Sequence, residues 1–413
     1  MLNRRQTLGA AAAALPAAGL PSTGTEDDFW RTVRRAYDLP RDIVNLENGN
    51  WGVMARPVLL AYERHTRGVN EQGAYYARRG YGADFDAIRT RLATALGVGS
   101  DEIAVTRGAT EALQAMISGY NRLREGDAVL LADLDYDSMQ TAMRWLERRR
   151  GVRVVEIALT EPATHQGLID AYEQALKANP AVRLMLLTYV SHRTGLVLPV
   201  HDIIEMARAR NVDVILDAAH AWGQINFTLP DTGADFVGLN LHKWIGAPIG
   251  VGVAYIKRDR IGAIDPFLGE PEGRTPVDAR IHTGTSNYAA VLAVPDALDW
   301  HEQIGADRKA ARLKALRQAW VRAVEDVPDV QVLTPQDPRL YAGITSFRIA
   351  GKTTLTENRA IASALLERDR IFTVHRSGVA AGACVRVTPG VFNSMDDMGA
   401  LAAAVRILAG ARP

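Results

Sequence analysis

The sequence contains very little cysteine, lysine or net charge. Its one cysteine, Cys384, excludes an intramolecular disulfide and any zinc or iron–sulfur site built from several cysteines. The net charge is +1, whereas nucleic-acid-binding proteins usually carry a clear basic excess, so this sequence does not indicate that class. Only six lysines stand beside 42 arginines, so chemistry that needs an amine has six candidates.

Several catalytic motifs are also missing. The nine histidines include no His-Glu-x-x-His pair, so we expect no catalytic metal. Neither a Gly-x-Ser-x-Gly elbow nor a Walker loop occurs. With 47% hydrophobic and 23% charged residues, the chain has the composition of a folded globular protein rather than a disordered one.

Long apolar runs are absent as well. After residue 24, no stretch approaches the roughly 20 apolar residues that span a bilayer. Residues 1–24 combine Arg4-Arg5, an Ala-rich run up to Leu20 and no acidic residue, which is typical of a twin-arginine-like export signal. The alternative is an Ala-rich N-terminal helix. The signal predicts a periplasmic protein with no membrane association after export.

Apolar runs alternate with amphipathic stretches between about residues 84 and 256, which predicts βαβ units and an α/β fold with a mostly parallel seven-stranded sheet. The predicted strands are Ile103–Val105, Ala128–Leu131, Val152–Ile157, Leu184–Thr188, Val212–Leu216, Phe236–Leu239 and Gly252–Ile256.

The remainder of the chain has a different pattern. Two long helices are expected near 287–303 and 306–325, followed by a β–β–α–β–β–α order that predicts a smaller α+β domain. The expected domains are an N-terminal segment 25–50 that packs with the small domain, a large domain 51–300 and a small domain 301–413.

Two residues near the centre of the chain carry the most informative chemistry. Asp217 follows an apolar strand, at the end where open α/β sheets place their ligand crevice. Lys243 follows the next strand and is flanked by Trp244 and Ile245. Either this lysine extends its charged end into water, or its amine is partly desolvated for imine chemistry.

Imine chemistry with pyridoxal 5'-phosphate (PLP) requires a lysine, a carboxylate at the pyridine nitrogen, a phosphate cradle and a group over the ring. The backbone N–H groups of Gly108, Ala109 and Thr110 open a predicted helix and are candidates for the cradle, although this segment also fits a simple helix cap. Tyr136 follows another strand and either stacks on the ring or is an ordinary residue at the rim.

These features together resemble the class V aminotransferase family of fold-type I PLP enzymes, and within it the isopenicillin-N epimerase type. The resemblance covers about residues 40–410. It rests on segments that occur in family order: Asn45–Gly49, Thr106–Leu113, Thr194–Val200, Leu216–His220, His242–Gly252, Gly284–Asn287 and Arg386–Asn393.

The resemblance implies a role for each matching residue. Lys243 corresponds to the Schiff-base lysine, Asp217 to the partner of the pyridine nitrogen, and His220 to the residue near the phenolic oxygen of the ring. The residues that correspond to phosphate ligands are Ala109, Thr110, Asn240, His242 and, from a neighbouring subunit, Thr285. Arg386 corresponds to the arginine that binds the substrate carboxylate. The Thr285 contact implies a homodimer with shared active sites.

The chain also departs from its family. Desulfurases need a nucleophilic cysteine on a loop, whereas Cys384 lies in a strand-like run and is expected to be a small core residue, so desulfurase activity is not expected. His192 either contacts the cofactor or lies on a surface loop. Arg274 and Arg280 either contact an acidic substrate or pair with surface carboxylates.

Three functions remain open. The first is a PLP enzyme that acts at the α-carbon of an amino acid or peptide, of aminotransferase or epimerase type. The second is a periplasmic enzyme that modifies an amino-acid residue of an exported peptide such as a siderophore. The third is a catalytically silent PLP-fold scaffold, which the presence of Lys243, Asp217 and Arg386 disfavours.

Overall fold

The structure is a computed structural model that describes residue 20 and residues 25–271, 273–282 and 284–410. Apart from Leu20, the predicted export signal therefore lies outside the described residues. Among the residues that are described, no helix combines the length and the apolar character needed to cross a bilayer.

The strands group into one large sheet and two smaller ones. In chain order they are β1 Val44–Asn45, β2 Ile103–Thr106, β3 Ala128–Ala132, β4 Arg153–Ile157, β5 Val182–Thr188, β6 Asp213–Asp217, β7 Phe236–Asn240, β8 Gly252–Ile256, β9 Val330–Val332, β10 Thr345–Ile349, β11 Ile371–Phe372, β12 Val374–Arg376 and β13 Cys384–Val387.

The helices cover the large sheet and one face of the small domain. In chain order they are α1 Glu26–Arg35, α2 Arg56–Arg79, α3 Tyr81–Leu96, α4 Ala109–Gly119, α5 Asp137–Arg150, α6 His165–Ala178, α7 Val200–Arg208, α8 Leu229–Thr232, α9 Tyr288–Leu292, α10 Val294–Ile304, α11 Ala306–Arg322, α12 Leu355–Asp369 and α13 Met395–Leu408.

The large sheet has seven strands in the order β2-β8-β7-β6-β5-β3-β4. All neighbours run parallel except at β8, which is antiparallel to both β2 and β7. The central strands are apolar on both faces because helices cover the sheet on each side. The predicted fold class, with its mostly parallel seven-stranded sheet and smaller C-terminal domain, is confirmed.

The small domain contains a four-stranded antiparallel sheet in the order β12-β13-β10-β9. Its apolar core includes Trp320 of α11, Phe347 of β10, Leu365 of α12 and Leu401 of α13. In this core α11, which precedes the sheet, packs together with α12 and α13 on one face of the sheet.

The segment before the large domain contacts the small one. Strand β1 pairs in parallel with β11, and Arg34 Nη1 donates to the carbonyl oxygen of Phe392 at 2.8 Å and to Asp397 Oδ2 at 3.0 Å. The structure thereby brings α1 and β1 into contact with the small domain. The domain boundaries themselves remain a prediction.

The helix expected over 287–303 is interrupted. Helix α9 ends at Leu292 and α10 begins at Val294, with Ala293 between them. Pro295 lies in the first turn of α10, where its missing N–H costs nothing, but it cannot continue a helix that began before it. One proline therefore divides the apolar periodicity into two helices.

Candidate active site

A cavity of about 1010 Å³ opens at the carboxyl ends of the central strands, between the large sheet and the small domain. Ten of the eleven predicted site residues line it, and the exception is Thr285. The ten are Gly108, Ala109, Thr110, Tyr136, Asp217, His220, Asn240, His242, Lys243 and Arg386. Ligand crevices in open α/β sheets lie at this end of the strands.

Lys243 lies in the turn that follows β7, and its amine faces His220. The distance from Lys243 Nζ to His220 Nε2 is 3.0 Å. Burial lowers the pKa of Lys243 to about 7, although the negative charge of Asp217 opposes this shift. A large fraction of this lysine is therefore a neutral amine near pH 7, which is the form that attacks a carbonyl carbon.

Asp217 is the last residue of β6 and is buried. Its Oδ1 accepts a hydrogen bond from the backbone N–H of Ala219 at 3.0 Å. Burial raises the pKa of this carboxyl, and the charge of Lys243 acts against that rise. A cationic group brought next to Asp217 would restore its ionised form.

The protonation of His220 follows from its second neighbour, Trp244. The indole N–H of Trp244 lies 3.3 Å from His220 Nδ1 and is a donor only, so Nδ1 must accept. Burial keeps the pKa of His220 far below its usual range, so the ring is neutral and its proton lies on Nε2. A proton on Nε2 can be donated to Lys243 only if the lysine amine is neutral. Trp244 thus favours the reactive form of the lysine.

Replacing Trp244 with phenylalanine is expected to raise the pKa of Lys243 by about one unit, the worth of one hydrogen bond. Without the indole donor, the His220 proton can move to Nδ1 and leave Nε2 to accept from an ammonium group. The rate at which the apoprotein takes up PLP should rise with pH around a midpoint near 7 in the wild type. The midpoint should move to higher pH in the variant.

The matched control is Trp145→Phe, which changes an indole that is 42% exposed on α5. It should leave the pH midpoint where it is in the wild type. An unchanged midpoint in the Trp244 variant would contradict the proposed control of the His220 tautomer.

The start of α4 is held close to the end of β7. Asn240 Oδ1 accepts a hydrogen bond from the N–H of Ala109 at 2.8 Å, which leaves the amide nitrogen of Asn240 as a donor. Gly108 has φ +155, and a Cβ there would lie 3.0 Å from Asn240 Oδ1 and 3.3 Å from His242 Cε1. A side chain at position 108 would therefore require Asn240 or His242 to shift, and the backbone conformation there would strain it.

This geometry changes which donors of the predicted phosphate cradle are free. The N–H of Gly108 lies 3.3 Å from Thr106 Oγ1, and the N–H of Ala109 is bonded to Asn240. The N–H groups of the first helical turn, beginning with Thr110, have no acceptor within the helix and carry its positive dipole end. They and the Asn240 amide are the donors that remain for an anion.

His242 lies beside this cradle. Its Nδ1 lies 3.1 Å from the carbonyl oxygen of Val251, which can only accept, so Nδ1 carries a proton. Burial lowers the pKa of His242 to about 4, which makes the ring neutral by itself. Donation to an anion from Nε2 requires a second proton, which a nearby phosphate would favour.

Tyr136 and His192 form one wall of the cavity. Their rings meet edge to face with centroids 5.0 Å apart. Tyr136 is 38% exposed at the mouth, whereas His192 is buried and lines the cavity, so of the two alternatives for His192 the surface loop is wrong. Burial lowers the pKa of His192 to about 3, and its Nδ1 has no hydrogen-bond partner among the described residues.

Arg386 is buried in the lining of the cavity and is already bonded. Its Nη2 donates to both carboxylate oxygens of Glu47, at 2.5 and 2.6 Å, and its Nη1 donates to the carbonyl oxygen of His192 at 2.7 Å. A second guanidinium, that of Arg376, lines the same cavity 3.6 Å from Glu47. Nothing in the sequence alone indicated a role for Glu47 or Arg376.

A buried carboxyl behind Asp217 was also missed. Asp135 Oδ1 accepts from the Thr188 hydroxyl at 2.6 Å, and its Oδ2 accepts from the N–H of Ala132 at 2.7 Å. Burial raises the pKa of Asp135 to about 7. Thr188 pairs with Asp217 across β5 and β6, so Asp135 fixes the strand end beside the catalytic candidate.

The remaining candidates lie away from the cavity. Thr285 is exposed. Arg274 lies 3.7 Å from Glu270, and Arg280 is buried, where it donates to the carbonyl oxygens of Ile261 and Arg274. Arg280 therefore pairs with no surface carboxylate in the part of the chain that is described.

Cys384 is fully buried in β13, and burial raises the pKa of its thiol to about 11. A thiol with that pKa is a poor nucleophile at neutral pH, in keeping with a core residue. Among the described residues, no three His, Cys, Asp or Glu side chains are placed to hold a metal ion.

The chain is similar to a known family and to several known proteins. The family model described as Aminotransferase class-V matches residues 58–398. The isopenicillin N epimerase of Streptomyces clavuligerus is 28% identical over 404 residues, which cover 92% of this chain and 98% of that protein. A probable cysteine desulfurase of Xylella fastidiosa is 25% identical over 340 residues, which cover 78% and 79% of the two chains.

Solved structures give the same fold. An enzyme mutant with glycine covalently linked to its PLP cofactor aligns with a TM-score of 0.78 and 22% identity. The alignment covers 90% of this chain and 98% of that chain. At this identity the likeness supports the fold and nothing finer.

Proposed function

The chain belongs to the class V aminotransferase family of PLP-dependent enzymes, and on that premise we propose that it reacts at the α-carbon of an amino acid or a peptide. The proposed reaction is of aminotransferase or epimerase type. One observation carries the proposal: Lys243 offers a substantially neutral amine in a cavity where Asp217 is buried on the adjacent strand.

The residues that line the cavity fit each part of the PLP molecule. A reactive amine, a buried carboxylate and a helix N-terminus with unbonded N–H groups line one cavity. The carboxylate of Asp217 matches a protonated pyridine nitrogen, which would relieve the charge that burial disfavours. His192 adds a buried ring nitrogen, Nδ1, that lacks a partner among the described side chains.

Bound PLP supplies a conjugated ring that accepts the electron pair released when a bond at the substrate's α-carbon breaks. The chain's own residues prepare that step. Lys243 would hold the cofactor, and its amine would move the proton at the substrate's α-carbon as a general base. Asp217 would hold the pyridine nitrogen of the cofactor in its protonated form. Arg386 would orient the substrate carboxylate.

The experiment that tests this proposal follows the α-proton directly. Free amino acids of both hands and short peptides would be incubated with the holoenzyme in deuterium oxide, and loss of the α-proton signal would be recorded by NMR. Exchange that requires wild-type Lys243 supports the proposal. Absence of exchange, amino transfer and inversion for all substrates, in a protein that holds PLP, would overturn it.

A periplasmic peptide-modifying enzyme is the second candidate, and the cavity mouth favours it. Trp51, Tyr136 and Phe372 line the cavity and are 49%, 38% and 40% exposed, so an extended substrate would meet apolar surface beyond the reacting residue. Export through residues 1–24 belongs to the same proposal. Cell fractionation together with a preference for peptides over free amino acids would support it.

A homodimer with shared active sites is also proposed. Thr285 is exposed and does not line the cavity of its own chain, which suits a residue that completes the site of a second copy. Sedimentation of the holoenzyme should give twice the 45.0 kDa mass of the chain. Thr285→Asp should weaken cofactor retention by placing a negative charge at the phosphate, whereas full retention would contradict the shared site.

A further inference from the structure

A second buried lysine, Lys309, lies behind the turn that carries Lys243. It is the fourth residue of α11 and is 4% exposed. Its Nζ donates a hydrogen bond to the carbonyl oxygen of Trp244, the residue that follows Lys243. No other hydrogen bond to this carbonyl occurs among the described residues. One buried amine therefore anchors the backbone next to the reactive lysine.

The amine of Lys309 is not there to form an ion pair. Its second neighbour is His301, whose Nδ1 lies 3.4 Å from Lys309 Nζ. Burial and the charge of Lys309 lower the pKa of His301 to about 3, so this imidazole is neutral. Burial lowers the pKa of Lys309 itself to about 7. A buried amine without a counter-ion is unfavourable for the fold, so what it contributes is its hydrogen bond to Trp244.

The turn around Lys243 is packed tightly on one side and loosely on the other. On the tight side, the N–H of Gly52 donates to the His242 carbonyl at 2.8 Å, and a Cβ at Gly52 would lie 2.0 Å from the Lys243 carbonyl oxygen. On the other side, Lys243 and Lys309 both line a cavity of about 30 Å³, enough space for a water molecule. Without the bond from Lys309, the turn has room to move toward α11.

Helix α11 is itself held by two apolar cores. Leu313 packs into the core that covers the large sheet, whereas Leu316 and Trp320 pack into the core of the small domain. Lys309 lies at the end of the helix that reaches the large sheet. The anchor of the Lys243 turn is therefore mounted on an element that both cores fix in place.

The residue that Lys309 anchors is the one that determines the proton position on His220. The indole N–H of Trp244 lies 3.3 Å from His220 Nδ1, and His220 Nε2 lies 3.0 Å from Lys243 Nζ. A shift of the Trp244 backbone moves its indole as well. The contact of Lys309 with the carbonyl therefore reaches the amine of Lys243 through Trp244 and His220.

We propose that Lys309 is a positioning residue for Lys243, which acts by holding the Trp244 carbonyl and thereby the indole that fixes the tautomer of His220. The inference rests on the proposed function, because it takes Lys243 as the reacting amine. It gives Lys309 a role in the reaction although its amine contacts neither the substrate nor the cofactor.

The test measures the pKa of Lys243 in the apoprotein, from the pH dependence of its labelling by trace acetic anhydride, followed by peptide mapping. The wild type should have a midpoint near 7. Lys309→Met replaces the donor with an unbranched apolar side chain and should raise the midpoint by about 0.5 to 1 unit, the worth of one hydrogen bond. The charged groups that face Lys243 are the same in every variant: Glu47, Asp217, Arg376 and Arg386.

The double variant Lys309→Met/Trp244→Phe shows how Lys309 acts. Trp244→Phe has already lost the indole donor, so the double variant should have the midpoint of Trp244→Phe alone. A direct effect of the Lys309 charge on Lys243 would remain without the indole, and the two shifts would then add. An additive shift would contradict the proposal.

The controls separate positioning from folding. Lys309→Arg retains a charged donor and should restore the wild-type midpoint. Lys314→Met is the matched control, because Lys314 lies on the same helix and donates to the Pro338 carbonyl at 2.8 Å, and it should leave the midpoint unchanged. Melting temperatures report whether each variant folds. If Lys309→Met does not fold, Lys309→Ala, which leaves space for a water at the carbonyl, is measured in the same way.

An unshifted Lys243 midpoint in a folded Lys309 variant that lacks the donor would also overturn the proposal. This result is distinguishable from failure of the proposed function, because the labelling requires no cofactor. Absence of the visible cofactor band from the wild-type protein would count against the PLP site. A normal band together with an unshifted midpoint would count only against the role of Lys309.

Discussion

Replacing Lys243 with alanine is expected to reduce turnover by at least about 10²- to 10⁴-fold, the usual contribution of a positioned acid–base group, with a further loss from the missing covalent link. The amine of Lys243 lies in the cavity and has a pKa near 7, and its neighbours favour its neutral form. Turnover is measured with any substrate identified by the α-proton exchange experiment.

The comparison with Lys352→Ala makes this prediction specific. Lys352 is exposed after β10 and lies 3.5 Å from Glu357, so its loss removes an amine without changing the cavity. This control should keep wild-type turnover and cofactor absorbance. The account would be contradicted if Lys243→Ala turned over substrate at the wild-type rate.

The second large effect is expected for Asp217→Asn. An amide cannot carry the negative charge that keeps a pyridine nitrogen protonated, so turnover should fall by about 10²- to 10³-fold, the size of a lost preorganised electrostatic contact. The cofactor should remain attached to Lys243. Turnover and visible absorbance are measured on the same preparation.

Stability should move differently from activity in this variant. Burial raises the pKa of Asp217 in the folded protein above its value in the unfolded chain. As the pH rises above the unfolded pKa, ionisation of this carboxyl therefore lowers the free energy of unfolding. The asparagine variant removes that cost. The melting temperature of the Asp217→Asn apoprotein at neutral pH should therefore equal or exceed that of the wild type, while turnover is lost.

Asp213→Asn is the matched control, because Asp213 begins the same strand that Asp217 ends. Its Oδ2 accepts from Tyr120 and from Arg260, each at 2.5 Å, far from the cavity lining. This variant should lower the melting temperature and leave the turnover of the folded protein unchanged. A loss of stability without a loss of turnover in Asp217→Asn would show that Asp217 is structural.

The parts of the fold that could be predicted are those whose signal is local. The apolar runs of β3, β5, β6 and β7 are buried on both faces, so each is recognisable from a few consecutive residues. The placement of Asp217 at a strand end and of Lys243 after the next strand follows directly from these runs. Their shared cavity then follows from the parallel sheet.

The contacts of Arg386 could not be predicted, because they depend on distant segments. Glu47 and Arg386 are 339 positions apart, and the parallel bridge between Glu47 and Thr388 brings them together. The segment around Glu47 was recognised as part of the family pattern, yet nothing in it indicated an ion pair. Arg376 shares a face with Arg386 only through the β12–β13 register, which the sequence does not specify.

The tautomer of His220 likewise depends on contacts between residues that only the fold brings together. Its position three residues after Asp217 was visible in the sequence, but its tautomer follows from the indole of Trp244. Trp244 had been interpreted only as an apolar neighbour of the lysine. The same residue therefore serves two purposes, since its ring is buried and its N–H sets the proton position on His220.

The most direct test of the central claim is borohydride reduction of the purified holoenzyme followed by peptide mapping. The account predicts a visible band above about 400 nm that disappears on reduction, and a pyridoxyl group on the peptide that contains Lys243. A pyridoxyl group on any of the other five lysines, or no band even after addition of PLP, would contradict it.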